Sequence, residues 1–419
     1  MRLIFSLLMI FGATTAFSQE GINYDESKVP TYTLPALLKT ESGKSVKNVK
    51  DWETERRPEL LQIFATQMYG VTPDEKIPVS YQVMEETENA FNGKATRKQV
   101  KFTFSNNGKQ LEAMLLMFIP NKVQGKIPVI VGYNYKGNHS TIADSSILYS
   151  PSLHLVKEPG HPDWVRGCQS NRWAFEDMIN RGYAVATMCY HDIFQDKKGL
   201  KQHSIVSLFS DFDENSQKSD EWQAIGAWAW GSSRILDYLA TLSNIDVSKS
   251  LLMGHSRQGK AALWAGAQDE RFGIVIANNS GSGGAALSKR EYGETVDRVS
   301  SITPAWFCPA FRKYAKNEKN LPFDQHQLIA LMAPRPVYVA SAVEDRWADP
   351  KGEFLSTYHA GPAYKLYGLK TIKSDKMPAL HQPVMTHLGY HIREGIHDVT
   401  DYDWSRFMDF ADLHFKKKK

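Results

Sequence analysis

Five short, nearly continuous apolar runs limit most strongly what this chain can fold into: IPVIVGYN (127–134), YAVATMCY (183–190), SLLMG (250–254), FGIVIANNS (272–280) and RPVYVASA (335–342). Strands buried on both faces look like this, and the helical spacing between the runs calls for βαβ crossovers in a mostly parallel sheet. The stretch 222–241, WQAIGAWAWGSSRILDYLAT, has apolar residues at helical intervals and supplies the crossover before SLLMG. Upstream the pattern differs. Between residues 78 and 119 the runs PVSYQVMEE, ATRKQVKFTFS and QLEAMLLMFIP alternate with period two, and the turn NNG separates the last two, which reads as an antiparallel hairpin or meander. No internal repeat and no Pro/Gly/Ser linker breaks the chain, so residues 19–419 are expected to form one α/β domain.

The first residues, MRLIFSLLMIFGATTAFSQ, carry one positive charge, an apolar run and small residues near Ala16 and Ser18. They read as a signal peptide over 1–18. The run is shorter than the roughly 20 residues a membrane span needs, so a soluble, exported protein, periplasmic or extracellular, is expected. Fifty basic against forty-six acidic residues leave a formal charge of +4, too small a surplus to argue for nucleic acid. The terminal KKKK reads as a solvated tail. Cys168, Cys189 and Cys308 are odd in number and far apart, which excludes a disulfide framework and permits at most one bridge. None has metal-site spacing and no H-E-x-x-H occurs, so no metal is expected; no organic cofactor is expected either.

In SLLMGHSRQGKAALWAG (250–266) a strand ends at Gly254, Ser256 follows two places on, and an alanine-rich helix starts at once. That is the pattern of a nucleophile elbow, which lifts a serine hydroxyl clear of the sheet beside the N–H groups of a helix N-terminus. Gln258 stands where the common G-x-S-x-G form has its second glycine; glycine comes at 259. A serine needs a base and the base an orienting acid, in the chain order Ser, acid, His for this kind of sheet. The loop after RPVYVASA offers Glu344, Asp345 and Asp349, with Asp345 favoured by its distance from Pro350. The segment before the closing helix, which starts near 403, offers His391 and His397. Gly395 and the turn-forming context favour His397, whereas His391 sits in a more apolar run.

Taken in order, GHSRQGK, NNSGSGGAAL (278–287), YGETV (292–296), WFCPAF (306–311), LIALMAPRPVYVAS, VEDRWADP and REGIHDVTDYDW resemble the bacterial glucuronoyl esterases of carbohydrate esterase family 15, over roughly residues 55–412. The resemblance implies an α/β-hydrolase fold, a three-layer sandwich, and hydrolysis of esters between glucuronic acid on xylan and alcohols such as those of lignin. It implies Ser256 as nucleophile, His397 as base, Asp345 as acid and Arg257 as oxyanion-assisting group. It also implies sugar contacts at Lys260, Glu294 and Trp347. Fungal members carry a glutamate as triad acid where Asn279 stands, so that acid site is expected to be silent here. Two other functions compatible with this pattern are an acetyl-xylan or other carbohydrate esterase and a non-catalytic carbohydrate-binding relative.

Overall fold

A computed structural model describes residues 21–158, 160–216 and 218–415. The expected signal peptide and the lysine tail therefore lie outside the described residues. Among the described residues nine strands form one sheet in the order β1-β2-β3-β5-β4-β6-β7-β8-β9. Strands β1 (Val79–Ala90), β2 (Ala95–Asn106) and β3 (Lys109–Pro120) make the antiparallel meander read from the sequence. Strand β3 then joins β5 (Ala184–Cys189) antiparallel. The remaining neighbours are parallel: β4 (Ile127–Asn134), β5, β6 (Ile245–His255), β7 (Ile274–Asn278), β8 (Val337–Ala342) and β9 (Leu388–Arg393).

Alternation along each parallel strand divides the core into two layers, as period-two geometry requires. Val129, Val131, Leu252, Val275 and Val339 face one side; Ile130, Leu251, Met253, Ile276 and Ala340 face the other. Of the helices that cover these faces, α1 (Phe175–Asn180) lies on the second side. On the first side lie α2 (Ala224–Leu239), α3 (Arg257–Gln268) and α4 (Pro350–His359), with Trp228, Trp264 and Phe354 in the same core. Helix α5 (Asp401–Phe415) covers the second side with α1, through Trp404, Phe407 and Phe410. The result is the expected three-layer α/β arrangement, and the predicted 222–241 helix is α2.

Strand β9 is an addition to the sequence reading, which left the region of His391 unassigned. Chain order reverses around β4, which lies between β5 and β6. In open α/β sheets the crevice beyond the carboxyl ends of the strands is where ligands bind. Ser256, Asn279, Asp345 and His397 follow the carboxyl ends of β6, β7, β8 and β9 respectively. All three cysteines are unpaired, and Cys189 and Cys308 are buried. Among the described residues no helix is long and apolar enough to cross a membrane.

Candidate active site

The corner at Ser256 is as tight as the sequence pattern demands. Its backbone has φ 55° and ψ −128°, in the left-handed half of the map that a side chain rarely adopts. Neighbours hold it there: Ser256 N–H donates to the Asn278 carbonyl at 2.8 Å, and the Ser256 carbonyl accepts from Gly259 N–H at 2.8 Å. A Cβ on Gly254 would stand 1.9 Å from the Gln258 carbonyl oxygen, and one on Gly259 would stand 2.8 Å from Ser280 Cβ. The close approach of helix to sheet is thus made by Gly259, which frees position 258 for glutamine. Arg257 opens α3, so its N–H belongs to the first turn, where amides lack partners within the helix.

Beyond β8 the three candidate acids separate. Glu344 is exposed. Asp349 caps α4 through Gly352 N–H at 3.0 Å and accepts from Arg290 Nε at 2.8 Å, so it is occupied structurally. Asp345 is 6% exposed, and its Oδ2 accepts from His397 Nδ1 at 2.5 Å and from Asn279 Nδ2 at 2.9 Å. Donation from Nδ1 leaves His397 Nε2 as the basic nitrogen. Asn279, read from the sequence only as an absent acid, is a donor to the acid that is present.

His391 is fully buried on β9. Its Nε2 lies 2.9 Å from Asp403 Oδ1, while Tyr338 hydroxyl lies 3.0 Å from its Nδ1. Burial holds its pKa below the usual histidine value, against the pull of Asp403. Arg393 donates to Asp403 Oδ2 at 2.7 Å, to the Glu394 carbonyl at 2.8 Å and to the Asp398 carbonyl at 2.6 Å. His391, Arg393 and Asp403 therefore frame the loop that carries His397. A further ring, His255, packs on His397 with centroids 4.5 Å apart and bonds Asn278 Oδ1 at 2.7 Å. Burial first, and the neighbouring His397 second, push its pKa well down, so it adds no positive charge beside His397.

Two cations line the same cavity. Arg257 forms an ion pair with Asp196, its guanidinium lies 4.7 Å from the Trp306 ring centre, and its Nε is buried without a protein hydrogen-bond partner. Lys260 Nζ lies 2.8 Å from the Ser280 carbonyl, 2.5 Å from that of Ser282 and 2.6 Å from Glu294 Oε2. Three acceptors match the three protons of an ammonium. Lys260 thus meets protein groups where the sequence reading had it donate to a sugar. Glu294 and Trp347 are coupled through the backbone, Glu294 N–H donating to the Trp347 carbonyl at 2.8 Å. A Cβ on the preceding Gly293 would stand 2.5 Å from that carbonyl.

Ser256, Arg257, Lys260, Glu294, Asp345, Trp347 and His397 all line one cavity of about 430 Å³, together with Trp306 and Ile302. That volume suits a ligand the size of one or two sugar rings, within the roughly 300–1,000 Å³ of small-molecule sites. A larger hollow of about 900 Å³, between residues 21–30 and Arg298, holds none of Ser256, Asp345 and His397. Chemistry decides between them in favour of the smaller. Trp306 and Asp196 were not found from sequence. The one signal for Asp196 is an acid soon after a buried strand, in the loop at its carboxyl end, and Trp306 sits in WFCPAF, which the resemblance drew on without giving it a role.

A family model described as glucuronyl esterase, fungi, matches residues 173–368. A carbohydrate esterase from an unknown prokaryotic organism is 41% identical, covering 94% of this chain and 92% of its own. A 4-O-methyl-glucuronoyl methylesterase of Phanerochaete carnosa is 36% identical, covering 86% and 76%. Among solved structures, a glucuronoyl esterase from Solibacter usitatus superposes with a TM-score of 0.88 at 41% identity, covering 93% of this chain and all of that one. A promiscuous CE15 esterase from a marine bacterial metagenome gives a TM-score of 0.87 at 40% identity, covering 94% and 100%. With likeness of this extent over nearly the whole length, and an α/β-hydrolase sheet beneath it, the chain belongs to the glucuronoyl esterases of carbohydrate esterase family 15, which are carboxylic ester hydrolases.

Proposed function

We propose that this protein hydrolyses esters of glucuronic or 4-O-methyl-glucuronic acid borne on xylan, through an acyl-enzyme on Ser256. Ser256 Oγ attacks the ester carbonyl while His397 Nε2 takes its proton. The tetrahedral intermediate collapses, the carbon–oxygen bond to the alcohol breaks, and His397 returns the proton to the alcohol oxygen. Water then repeats the sequence on the acyl-enzyme, releasing the uronate and the free serine. Asp345 holds the imidazole in the tautomer with its proton on Nδ1 and stabilises the imidazolium between steps.

The ester is neutral before attack, so a cation beside it contributes chiefly once the oxyanion forms. Arg257, with a buried and unpartnered Nε, is suited to that contact, and the first-turn N–H of α3 adds to it. Glu294 accepts from a sugar hydroxyl, Lys260 serves binding by fixing Glu294 and the 280–282 carbonyls, and Trp347 offers the ring a flat apolar wall. Export through residues 1–18, followed by one catalytic domain, is part of the same reading.

The observation that carries this reading is the His397–Asp345 pair opening on the cavity that holds Ser256. It is tested by hydrolysis of benzyl glucuronate and of acetylated xylan with wild type and Ser256→Ala. Hydrolysis of the uronic ester, lost in the variant, is expected; preference for acetate esters or retained turnover in the variant overturns the assignment.

A further inference from the structure

Asp196 lies behind the cavity and lines none of it, yet it is joined to two residues that do. Its Oδ2 pairs with Arg257 Nη1, and its Oδ1 accepts from Trp306 Nε1 at 2.9 Å. Tyr190 hydroxyl lies 3.4 Å from Oδ2, and Asp196 N–H donates to His191 Nδ1 at 3.1 Å. His191 is a steady acceptor because burial drops its pKa to about 4, so it stays neutral. The Asp196 side chain is 13% exposed, and the paired guanidinium stacks on the same Trp306 that Asp196 holds.

Asp196 completes a charge pattern. Among the described residues that line the cavity the cations are Arg257 and Lys260, and each carries its own carboxylate, Asp196 and Glu294. Asp345 adds a further negative charge. Hydrolysis of a uronic ester turns a neutral substrate into an anion in the same place: ester and water give alcohol, uronate and a proton, the proton leaving through His397 to solvent. A bare arginine beside the serine stabilises the oxyanion but also retains the product carboxylate.

We propose that Asp196 is a positioning residue that aims Arg257 and Trp306 at the reacting group and cancels the arginine charge, so that the uronate product is released. The inference rests on the uronic-ester reading given above. With the net charge cancelled, Arg257 acts through short, directional N–H contacts that a tetrahedral oxyanion meets and a planar, departing carboxylate does not. Transition state and product, both anionic, are thereby told apart.

The test compares wild type with Asp196→Asn, which keeps an oxygen for Trp306 Nε1 and removes the charge. Inhibition of benzyl glucuronate hydrolysis is measured with glucuronate and with neutral glucuronamide. The inhibition constant for glucuronate is expected to fall by about tenfold or more in the variant, as an uncompensated cation close to an anion dictates, with that for glucuronamide changing less than about twofold. Equal changes for both, or none, overturn the proposal. In wild type the glucuronate constant is expected to change less than about twofold between about 50 mM and about 500 mM salt, since a cancelled charge leaves little to screen. Strong weakening by salt overturns the proposal even where Asp196→Asn does not fold. A wild type that hydrolyses no glucuronoyl ester overturns the parent reading and this one with it, whereas turnover with unmoved inhibition constants overturns this one alone.

Discussion

Asp345 Oδ2 receives two donors at once, His397 Nδ1 at 2.5 Å and Asn279 Nδ2 at 2.9 Å. The asparagine occupies the place where the resemblance sets the fungal acid, and it donates to the carboxylate that the resemblance names instead. The two residues are expected to differ sharply in weight. Asp345→Asn removes the anion that fixes the imidazole tautomer and should cut kcat by roughly 10³- to 10⁴-fold. Asn279→Leu removes one neutral donor from a carboxylate that keeps its histidine, and should cost no more than about tenfold. Steady-state kinetics on benzyl glucuronate decide it; a larger loss at 279 than at 345 contradicts the assignment of the acid.

The elbow gives a prediction on stability. A methyl group at Gly254 would stand 1.9 Å from a backbone oxygen, which cannot swing aside as a side chain can. Gly254→Ala is expected to destabilise the fold by about 3 kcal/mol or more. Gly368 has a positive φ of 71° but open space around its Cα, so alanine there is expected to cost about 1–2 kcal/mol, from backbone strain alone. Urea unfolding of both variants separates packing from conformation; a loss at 254 no larger than that at 368 would show that the Gln258 carbonyl yields to the added methyl group.

Strands β4 to β8 and helix α2 were legible because their apolar runs have no competing reading. Ser256 was legible because a strand, a glycine and a helix in succession leave few alternatives. Strand β9 was not. Its residues LGYHIR place a histidine and an arginine in the core, and the one carboxylate that both meet is that of Asp403, in the first turn of α5, twelve and ten residues on. The same limit hid Asp196, whose meaning lies in Arg257, 61 positions later, and in Trp306, 110 positions later. The partners of Lys260 at 280, 282 and 294 were equally out of reach, so its ammonium read only as a sugar contact. Patterns of neighbours along the chain show strands and turns, whereas charge pairing across loops appears only once the sheet has brought the loops together.

His391 and His397 should respond in opposite ways. His397→Ala is expected to abolish turnover and leave stability nearly unchanged, since the side chain is 39% exposed and packs at a cleft. His391→Phe takes a donor from the buried Asp403, which keeps Arg393 and Thr400, and is expected to cost about 2 kcal/mol with kcat within about threefold. Thermal unfolding and kinetics on the same preparations test both. Loss of turnover at 391 without loss of stability would give His391 a part in the chemistry that its burial argues against.

Glu353 gives a pH-dependent expectation. This residue of α4 is fully buried below the 280–281 turn, where Oε1 receives Ser280 N–H at 2.6 Å, Ser280 Oγ at 2.9 Å and Gly281 N–H at 3.1 Å. Oε2 has Ser341 Oγ at 2.6 Å, a hydroxyl able to accept a proton as well as to give one. Burial raises its pKa from 4.5 to about 8 despite these donors. Between those values the native protein holds a proton that the unfolded chain has released, so stability is highest below the lower value and falls as pH rises toward the higher. The slope from this one group is at most about 1.4 kcal/mol per pH unit. Glu353→Gln removes the titration, so the stability of the variant relative to wild type should rise by about 3 kcal/mol from pH 5 to pH 8. Urea unfolding at the two pH values measures it. A difference that does not move with pH would mean that the carboxyl titrates alike in both states, its four donors offsetting the cost of burial and leaving an anion beneath the loop that carries Asn279.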